Sequence, residues 1–230
     1  IMGFLDFFLQ RGFEDLLRDG FIKLPPLTSE LDRGVIYESI HKESGGRNFS
    51  ISLFTHKKII SELGLNTDLA KALLKVARSE FGYTGGLDNQ YHISRFVNPG
   101  DQESYRTHFD SHLFTLVLPI KIPDCEHYLG SGELLFRPKA RSHPKNELVN
   151  LMGKLYHKRY AGERAVQTAL SKDFFKIEDF RDDMPILFLG NTTLHTNTHV
   201  HSSANSPRLT CISHYFDPGG NNSIGALLRR

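Results

Sequence analysis

Apolar residues in the first third of the chain recur at helical spacing. They repeat every three or four positions from Leu5 to Phe13, so we expect the first twenty residues to form an amphipathic helix that ends near Gly20. A short strand should follow over residues 21–24, before two prolines stop it. A second helix is predicted over residues 68–81, because an apolar stripe runs along one face and a glycine follows its last residue.

The pattern changes near residue 90, where apolar residues begin to occur in short alternating runs. Glycines, prolines and asparagines separate these runs, as is typical of strands joined by turns. A series of strands after leading helices indicates a β-sandwich or jelly roll with the helices on one side. The predicted strands cover residues 91–97, 113–118, 133–136, 186–189 and 209–216.

One segment, residues 137–165, interrupts the series of strands. It holds eight basic residues against two acidic ones, and apolar residues at helical spacing between Leu148 and Leu155 predict a helix inside it. We interpret residues 137–183 as a helical insertion in the β core. Two roles are open: a solvated basic helix packed by its leucines, or an element that covers a site or recognises an anion.

Composition limits the class of protein further. The 230 residues, 39% of them hydrophobic, suffice for one domain over residues 1–230, with residues 1–89 supporting a jelly-roll core at 90–217. A net charge of +2 gives no field that would attract nucleic acid or a membrane, and the apolar runs are too short to span a bilayer. Cys125 and Cys211 fit no metal or redox spacing, so we expect reduced thiols in a cytoplasmic protein without a secretory signal.

The candidate chemistry begins with His108 and Asp110. They are two residues apart, and residues i and i+2 of an extended strand point to the same face. An imidazole and a carboxylate could therefore reach one ion. A His-x-Asp pair occurs by chance in many chains, so its value depends on the residues that follow it.

Three histidines and an arginine follow later in the chain. His195, His199 and His201 have the same parity and would share one face if a single strand carried them. One of them would complete a set of two histidines and one carboxylate, which leaves three positions open on non-haem iron(II). Arg208 heads the last predicted strand, and its planar guanidinium matches a carboxylate such as the distal one of 2-oxoglutarate.

These residues together resemble the pattern of the 2-oxoglutarate/iron(II) oxygenase superfamily. That pattern is His-x-Asp, a long gap, a histidine and a later arginine, and His108, Asp110 and Arg208 match it. Short segments beside the histidine cluster resemble the phytanoyl- and ectoine-hydroxylase branch, whereas residues 208–217 resemble the last strand of prolyl-hydroxylase-type members. The resemblance covers residues 90–217 and implies a mainly β fold with flanking α-helices, a double-stranded β-helix (jelly roll).

The resemblance leaves alternatives for the third metal ligand. His195 follows a predicted strand closely, where the superfamily usually places its histidine, and we prefer it. His199 lies at the more usual distance before Arg208 and is the alternative, and His201 is third. Residues expected to pack near the site or to assist it are His112, His214, Tyr91, Arg95, Asn98 and Tyr105.

The resemblance also implies cofactors and a reaction. Iron(II), 2-oxoglutarate and dioxygen would together hydroxylate an unactivated C–H bond, with release of succinate and carbon dioxide. Asp110 at the carboxylate position favours hydroxylation over halogenation. We expect a small-molecule substrate, and the basic segment makes an anionic one plausible. Three alternatives are a peptidyl hydroxylase of the prolyl-hydroxylase type, a cupin-like metal enzyme that does not use 2-oxoglutarate, and a non-catalytic binding module.

Overall fold

Nine strands and six α-helices are seen in a computed structural model that describes residues 12–26, 33–51, 54–101, 104–144 and 147–219. The strands are β1 (Phe21–Lys23), β2 (Phe49–Ile51), β3 (Gln90–Val97), β4 (Phe114–Lys121), β5 (Leu134–Arg137), β6 (Lys176–Glu178), β7 (Ile186–Leu189), β8 (Leu194–Asn197) and β9 (Arg208–Tyr215). The α-helices are α1 (Phe13–Asp19), α2 (Arg33–Ser44), α3 (Phe54–Glu62), α4 (Ala70–Phe81), α5 (Glu147–His157) and α6 (Glu163–Leu170).

The strands form two sheets in which neighbouring strands run antiparallel. The larger sheet has the order β1-β7-β4-β9-β3-β2 and the smaller one β6-β5-β8. Side chains from β4 and β7 of the larger sheet pack against side chains from β5 of the smaller sheet, so the two sheets face each other. This is the jelly-roll arrangement that the sequence predicted, and the fold class is confirmed.

The last strand, β9, shows how the sequence sorts its residues between two faces. Leu209, Cys211 and Tyr215 belong to the core under the N-terminal helices, together with residues of α2, α3 and α4. Arg208 and Thr210, with the opposite parity, line a cavity between the sheets. The period of two therefore places an apolar face on the helices and a polar, chemically useful face toward the cavity.

The N-terminal helices cover the outer face of the larger sheet. Gly20 ends α1 in the left-handed conformation, and Gly82 ends α4 in the same way, as the sequence predicted. The first eleven residues of the predicted N-terminal helix lie outside the described residues. The second predicted helix begins as a π-helical turn, Leu65–Leu69, and continues as α4. Two further helices, α2 and α3, were not predicted.

The basic insertion differs in two respects from the prediction. Its helices α5 and α6 end at Leu170, and the later residues 176–178 form β6 on the edge of the smaller sheet. The apolar residues of α5 do not form a buried stripe. Met152 and Leu155 are mostly exposed. Among the described residues, no helix is both long and apolar enough to cross a membrane.

Candidate metal centre

His108, Asp110 and His195 come together at one end of the cavity. One ligand atom from each of them lies within 4.8 Å of the other two. The Nε2 atoms of His108 and His195 are each 3.6 Å from a different oxygen of the Asp110 carboxylate. Two imidazoles and one carboxylate at this spacing can occupy one face of an octahedral ion and leave the opposite face open.

The path of the chain through His108 and Asp110 differs from the predicted strand. His108 forms an isolated antiparallel bridge with His195, with two backbone N–H···O bonds of 3.0 Å, and Asp110 lies in the loop that runs into β4. The prediction that the pair shares a strand is therefore wrong. Tyr105 has a positive φ of 58° and turns the chain before the bridge, and the amide of Asp110 donates to Gly190 at 3.1 Å. The turn and the backbone hydrogen bonds, and not strand alternation, therefore bring the side chains of His108 and Asp110 together.

Both candidate histidine ligands are oriented by their own backbone. The Nδ1 atom of His108 lies 2.6 Å from the carbonyl oxygen of Arg106, and that of His195 lies 3.1 Å from the carbonyl oxygen of Thr193. A carbonyl can only accept, so each ring carries a proton on Nδ1 and turns Nε2 toward Asp110. Nε2 is therefore the nitrogen of each ring that can bind a metal ion.

The other two histidines of the cluster point elsewhere. Strand β8 ends at Asn197, so His195, His199 and His201 do not share one strand, contrary to the assumption from parity. The Nδ1 atom of His199 shares a hydrogen bond of 2.9 Å with the Tyr105 hydroxyl, and the ring of His201 lies 3.8 Å from the ring of His127. Neither histidine belongs to the group of three ligand atoms around Asp110.

The charges at the centre favour an ionised carboxylate and a neutral imidazole. Burial opposes the charge on Asp110, but His195, His214 and His108 outweigh it and hold the pKa of Asp110 well below its ordinary value. Burial lowers the pKa of His195 to about 4, although the Asp110 carboxylate acts in the opposite direction. At neutral pH, Asp110 is therefore an anion and His195 is a neutral donor, as metal binding requires.

The cavity behind the centre has a volume of about 220 Å³ and reaches Arg208. Arg208 is 3% exposed, and its guanidinium makes no hydrogen bond or ion pair with the part of the chain that the structure describes. Burial, and then the charge of Arg95, lower the pKa of Arg208 to about 9, so it is still a cation at neutral pH. A larger groove of about 1370 Å³ beside α2 contains none of the candidate ligands.

A threonine and a glycine lie beside Arg208. Thr210 has the same parity as Arg208 on β9 and lines the cavity, and its buried hydroxyl has no hydrogen-bond partner among the described residues. A side chain at Gly132 would place its Cβ 2.7 Å from Cδ of Arg208, so the absence of that atom lets the arginine lie where it does. Sequence analysis named Arg208 but missed Thr210, which β-strand alternation places on the same face of β9.

The fold and the cluster define the class as a double-stranded β-helix with a His-Asp-His centre. The following three are among the solved structures that share this fold. A prolyl-4-hydroxylase from Pseudomonas putida is 13% identical and has a TM-score of 0.51 over 88% of this chain and 91% of its own. The non-haem, α-ketoglutarate-dependent carbocyclase SnoK from nogalamycin biosynthesis is 11% identical, with a TM-score of 0.53 over 96% of this chain and 90% of its own.

The third similar structure is a prolyl hydroxylase from Trichoplax adhaerens in complex with a peptide fragment of the oxygen degradation domain of hypoxia-inducible factor. It is 13% identical, with a TM-score of 0.52 over 89% of this chain and 86% of its own. No protein-family model and no curated protein sequence matches the chain. The similarity that the sequence motifs predicted is thus confirmed as a similarity of fold.

Proposed function

We propose that the protein is an iron(II)- and 2-oxoglutarate-dependent dioxygenase that hydroxylates an unactivated C–H bond. The observation that carries this proposal is the cavity that joins two features: a His108-Asp110-His195 cluster at one end and the buried cation of Arg208 at the other. A dicarboxylic keto acid would bind a metal ion at the cluster through one end and Arg208 through its distal carboxylate. The fold similarity to an α-ketoglutarate-dependent carbocyclase supports the same choice.

The lining residues fit the distal carboxylate of such a co-substrate. A buried hydroxyl without a partner costs about 1–3 kcal/mol, and an uncompensated buried charge costs more. A carboxylate beside Arg208 would pair with the guanidinium and could accept from Thr210, whose hydroxyl has no other described partner. Bound 2-oxoglutarate would therefore remove the free-energy costs of an unpaired hydroxyl and of an unpaired buried charge.

In this proposal, His108, Asp110 and His195 hold the iron, and Arg208 with Thr210 holds the far end of 2-oxoglutarate. The bound iron and co-substrate would supply the oxidising chemistry, with succinate and carbon dioxide as products. The protein residues would orient the bound groups and limit the access of water. The ring of His108 is 52% exposed, so the substrate would enter on its side of the centre.

We propose a small-molecule substrate, in keeping with the small size of the cavity. The lining carries Arg95 and Arg106 in addition to Arg208, against the single carboxylate of Asp110, and this balance favours an anionic substrate. A peptide substrate is the second candidate, since a structure with this fold binds a peptide. The free thiols Cys125 and Cys211 support a reducing, cytoplasmic location for the protein.

The experiment that tests the function is an anaerobic titration of the metal-free protein with iron(II), with 2-oxoglutarate, and with both. We expect a weak visible charge-transfer band only when both are present. Iron binding without any effect of 2-oxoglutarate would instead favour a cupin-like enzyme that does not use the keto acid. A lack of iron binding would reject the catalytic proposal and favour a non-catalytic binding module.

A further inference from the structure

The carboxylate of Asp110 has hydrogen-bonding neighbours besides the histidine ligands. The hydroxyl of Thr115 lies 2.5 Å from Oδ2 of Asp110 and 3.1 Å from Nδ1 of His214. Thr115 and His214 face each other directly across the β4–β9 pairing. Two neighbouring strands of the larger sheet thus present one hydrogen-bonded unit to a loop residue.

The direction of these hydrogen bonds follows from the chemistry of the groups. An ionised carboxylate can only accept, so the single proton of the Thr115 hydroxyl goes to Asp110. The hydroxyl oxygen can then only accept from His214, which places that proton on Nδ1 of His214. The resulting chain runs from the His214 ring through the Thr115 hydroxyl to one oxygen of the Asp110 carboxylate.

Packing holds the His214 ring and the Thr115 side chain in place. The His214 ring packs against the rings of Tyr91, at 6.0 Å, and His112, at 5.0 Å, and these two rings also contact each other. Thr115 is buried, and a Cβ at Gly190 would lie only 2.6 Å from its hydroxyl oxygen. Gly190 therefore leaves the space that the hydroxyl needs in order to reach Asp110.

We propose that Thr115 and His214 are positioning residues that hold the Asp110 carboxylate in a single orientation for metal binding. This inference rests on the proposed metal centre. With one oxygen held by Thr115, the carboxylate cannot rotate freely between His108 and His195. It is thereby kept as a one-point ligand, and the remaining positions on the ion stay open for other ligands.

The test uses the metal-free full chain, titrated with cobalt(II) as a visible probe that replaces iron(II). Thr115→Val keeps the shape of the side chain and removes the hydroxyl, and we expect it to weaken cobalt(II) binding by roughly 10–100-fold and to change the cobalt(II) visible spectrum. Thr115→Ser restores a hydroxyl and should recover most of the affinity. His214→Phe keeps the stacked ring without its Nδ1 and should weaken binding less than Thr115→Val.

The control is Thr168→Val on the exposed face of α6, which makes the same chemical change far from the centre. It should leave the cobalt(II) affinity unchanged. Melting of the metal-free proteins separates positioning from folding, since a merely structural Thr115 would lower the melting temperature without changing the spectrum of the bound cobalt(II).

Two outcomes would overturn the proposal. One is a Thr115→Val protein that binds cobalt(II) with the wild-type affinity and spectrum, and the other is a wild-type protein that binds no cobalt(II). A wild type that binds the metal ion and shows no response to 2-oxoglutarate would reject the proposed function alone and leave the positioning proposal standing.

Discussion

Each of the two imidazoles at the centre is oriented by a hydrogen bond to a nearby backbone carbonyl. In each case the ring reaches back to the carbonyl two residues earlier, in Arg106 for His108 and in Thr193 for His195. Because Nδ1 makes this bond, Nε2 of each histidine faces the cavity. Substitution of the residue that supplies the carbonyl should matter little, because only its backbone takes part.

The third ligand can be identified with a pair of alanine variants. His195→Ala removes an imidazole that lies 3.6 Å from Asp110, so we expect iron(II) affinity to fall by more than the roughly 10–100-fold that loss of a supporting group costs. His199→Ala removes a ring bonded to Tyr105 and should leave the affinity unchanged. The measurement is an anaerobic iron(II) titration. Loss of binding in the His199 variant alone would make His199 the ligand.

The role of Arg208 is tested by Arg208→Gln, which leaves a bound dicarboxylate without its buried cation. We expect 2-oxoglutarate to bind the iron-loaded variant about 2–4 kcal/mol more weakly, or roughly 30- to 1,000-fold. Calorimetry of the wild type and variant gives this difference. Arg137→Gln, at an exposed arginine that lies over the ring of Phe174, is the matched control. An equal loss in both variants would contradict the assignment.

The sequence allowed the residues of the centre to be named but not their supports. His108, Asp110 and Arg208 were identified because their types and order form a recognisable pattern. Thr115 approaches Asp110 only through a loop, and its contact with His214 depends on the β4–β9 register. A threonine in an apolar strand carries no sign of such a partner, so sequence analysis overlooked it.

At the scale of elements, two glycines with positive φ offer a matched test of the cavity wall. Gly82 (φ +62°) has open space around an added Cβ, whereas a Cβ at Gly132 (φ +79°) would meet Arg208 at 2.7 Å and Val200 at 3.0 Å. We expect Gly82→Ala to cost about 1–2 kcal/mol of unfolding free energy from its backbone alone. Gly132→Ala should cost more and should also weaken 2-oxoglutarate binding.

Urea unfolding and 2-oxoglutarate titration of the two glycine variants provide the measurements. Strain alone predicts similar losses of stability and no change in 2-oxoglutarate affinity for either variant. That outcome would show that Gly132 does not shape the position of Arg208.

The long strands and the short apolar strands β1, β5 and β7 were predicted well, whereas β2, β6 and β8 were not. The long strands β3, β4 and β9 appear within a few residues of their predicted ends. Strands β2 and β6 have three residues each, too few to show a period, and they form only because a neighbouring strand offers an edge. Helix α2 has only a faint apolar stripe and is stabilised by packing on the sheet.

The exposed face of α5 also follows from contacts that the sequence does not reveal. Arg141 donates to the backbone and side chain of Asn150, and Lys154 donates to Ser111 next to the metal-binding loop. Polar residues thus bind the helix to the site, while Met152 and Leu155 face outward. The helical pattern predicted the element correctly, but not which of its faces would be inside.

At the scale of the whole molecule, a buried histidine between helix and sheet links stability to pH. His56 on α3 is fully buried against β3, its Nδ1 lies 3.0 Å from the Ser94 hydroxyl, and burial lowers its pKa to about 3. In the unfolded chain a histidine has a pKa near 6.5. Between these values the unfolded state binds the extra proton, so stability is complete above about pH 6.5 and is lost as the pH falls.

We therefore expect the metal-free protein to lose about 2 kcal/mol through His56 between pH 7 and pH 5. The measurement is urea unfolding at both pH values in the presence of a chelator. His56→Gln removes the titrating group and should reduce the loss by that amount. An identical pH dependence in the variant would show that His56 is not the source.

The position of β9 in the larger sheet has a consequence for how the molecule is made. This strand is the last one in the part of the chain that the structure describes, yet it is inserted between β3 and β4, and it carries Arg208. While the chain is still emerging from the ribosome, β3 and β4 have no partner between them and their edges are open to other strands. The proposed metal centre can therefore reach its final surroundings only after residue 215 has been translated and β9 has paired with both strands.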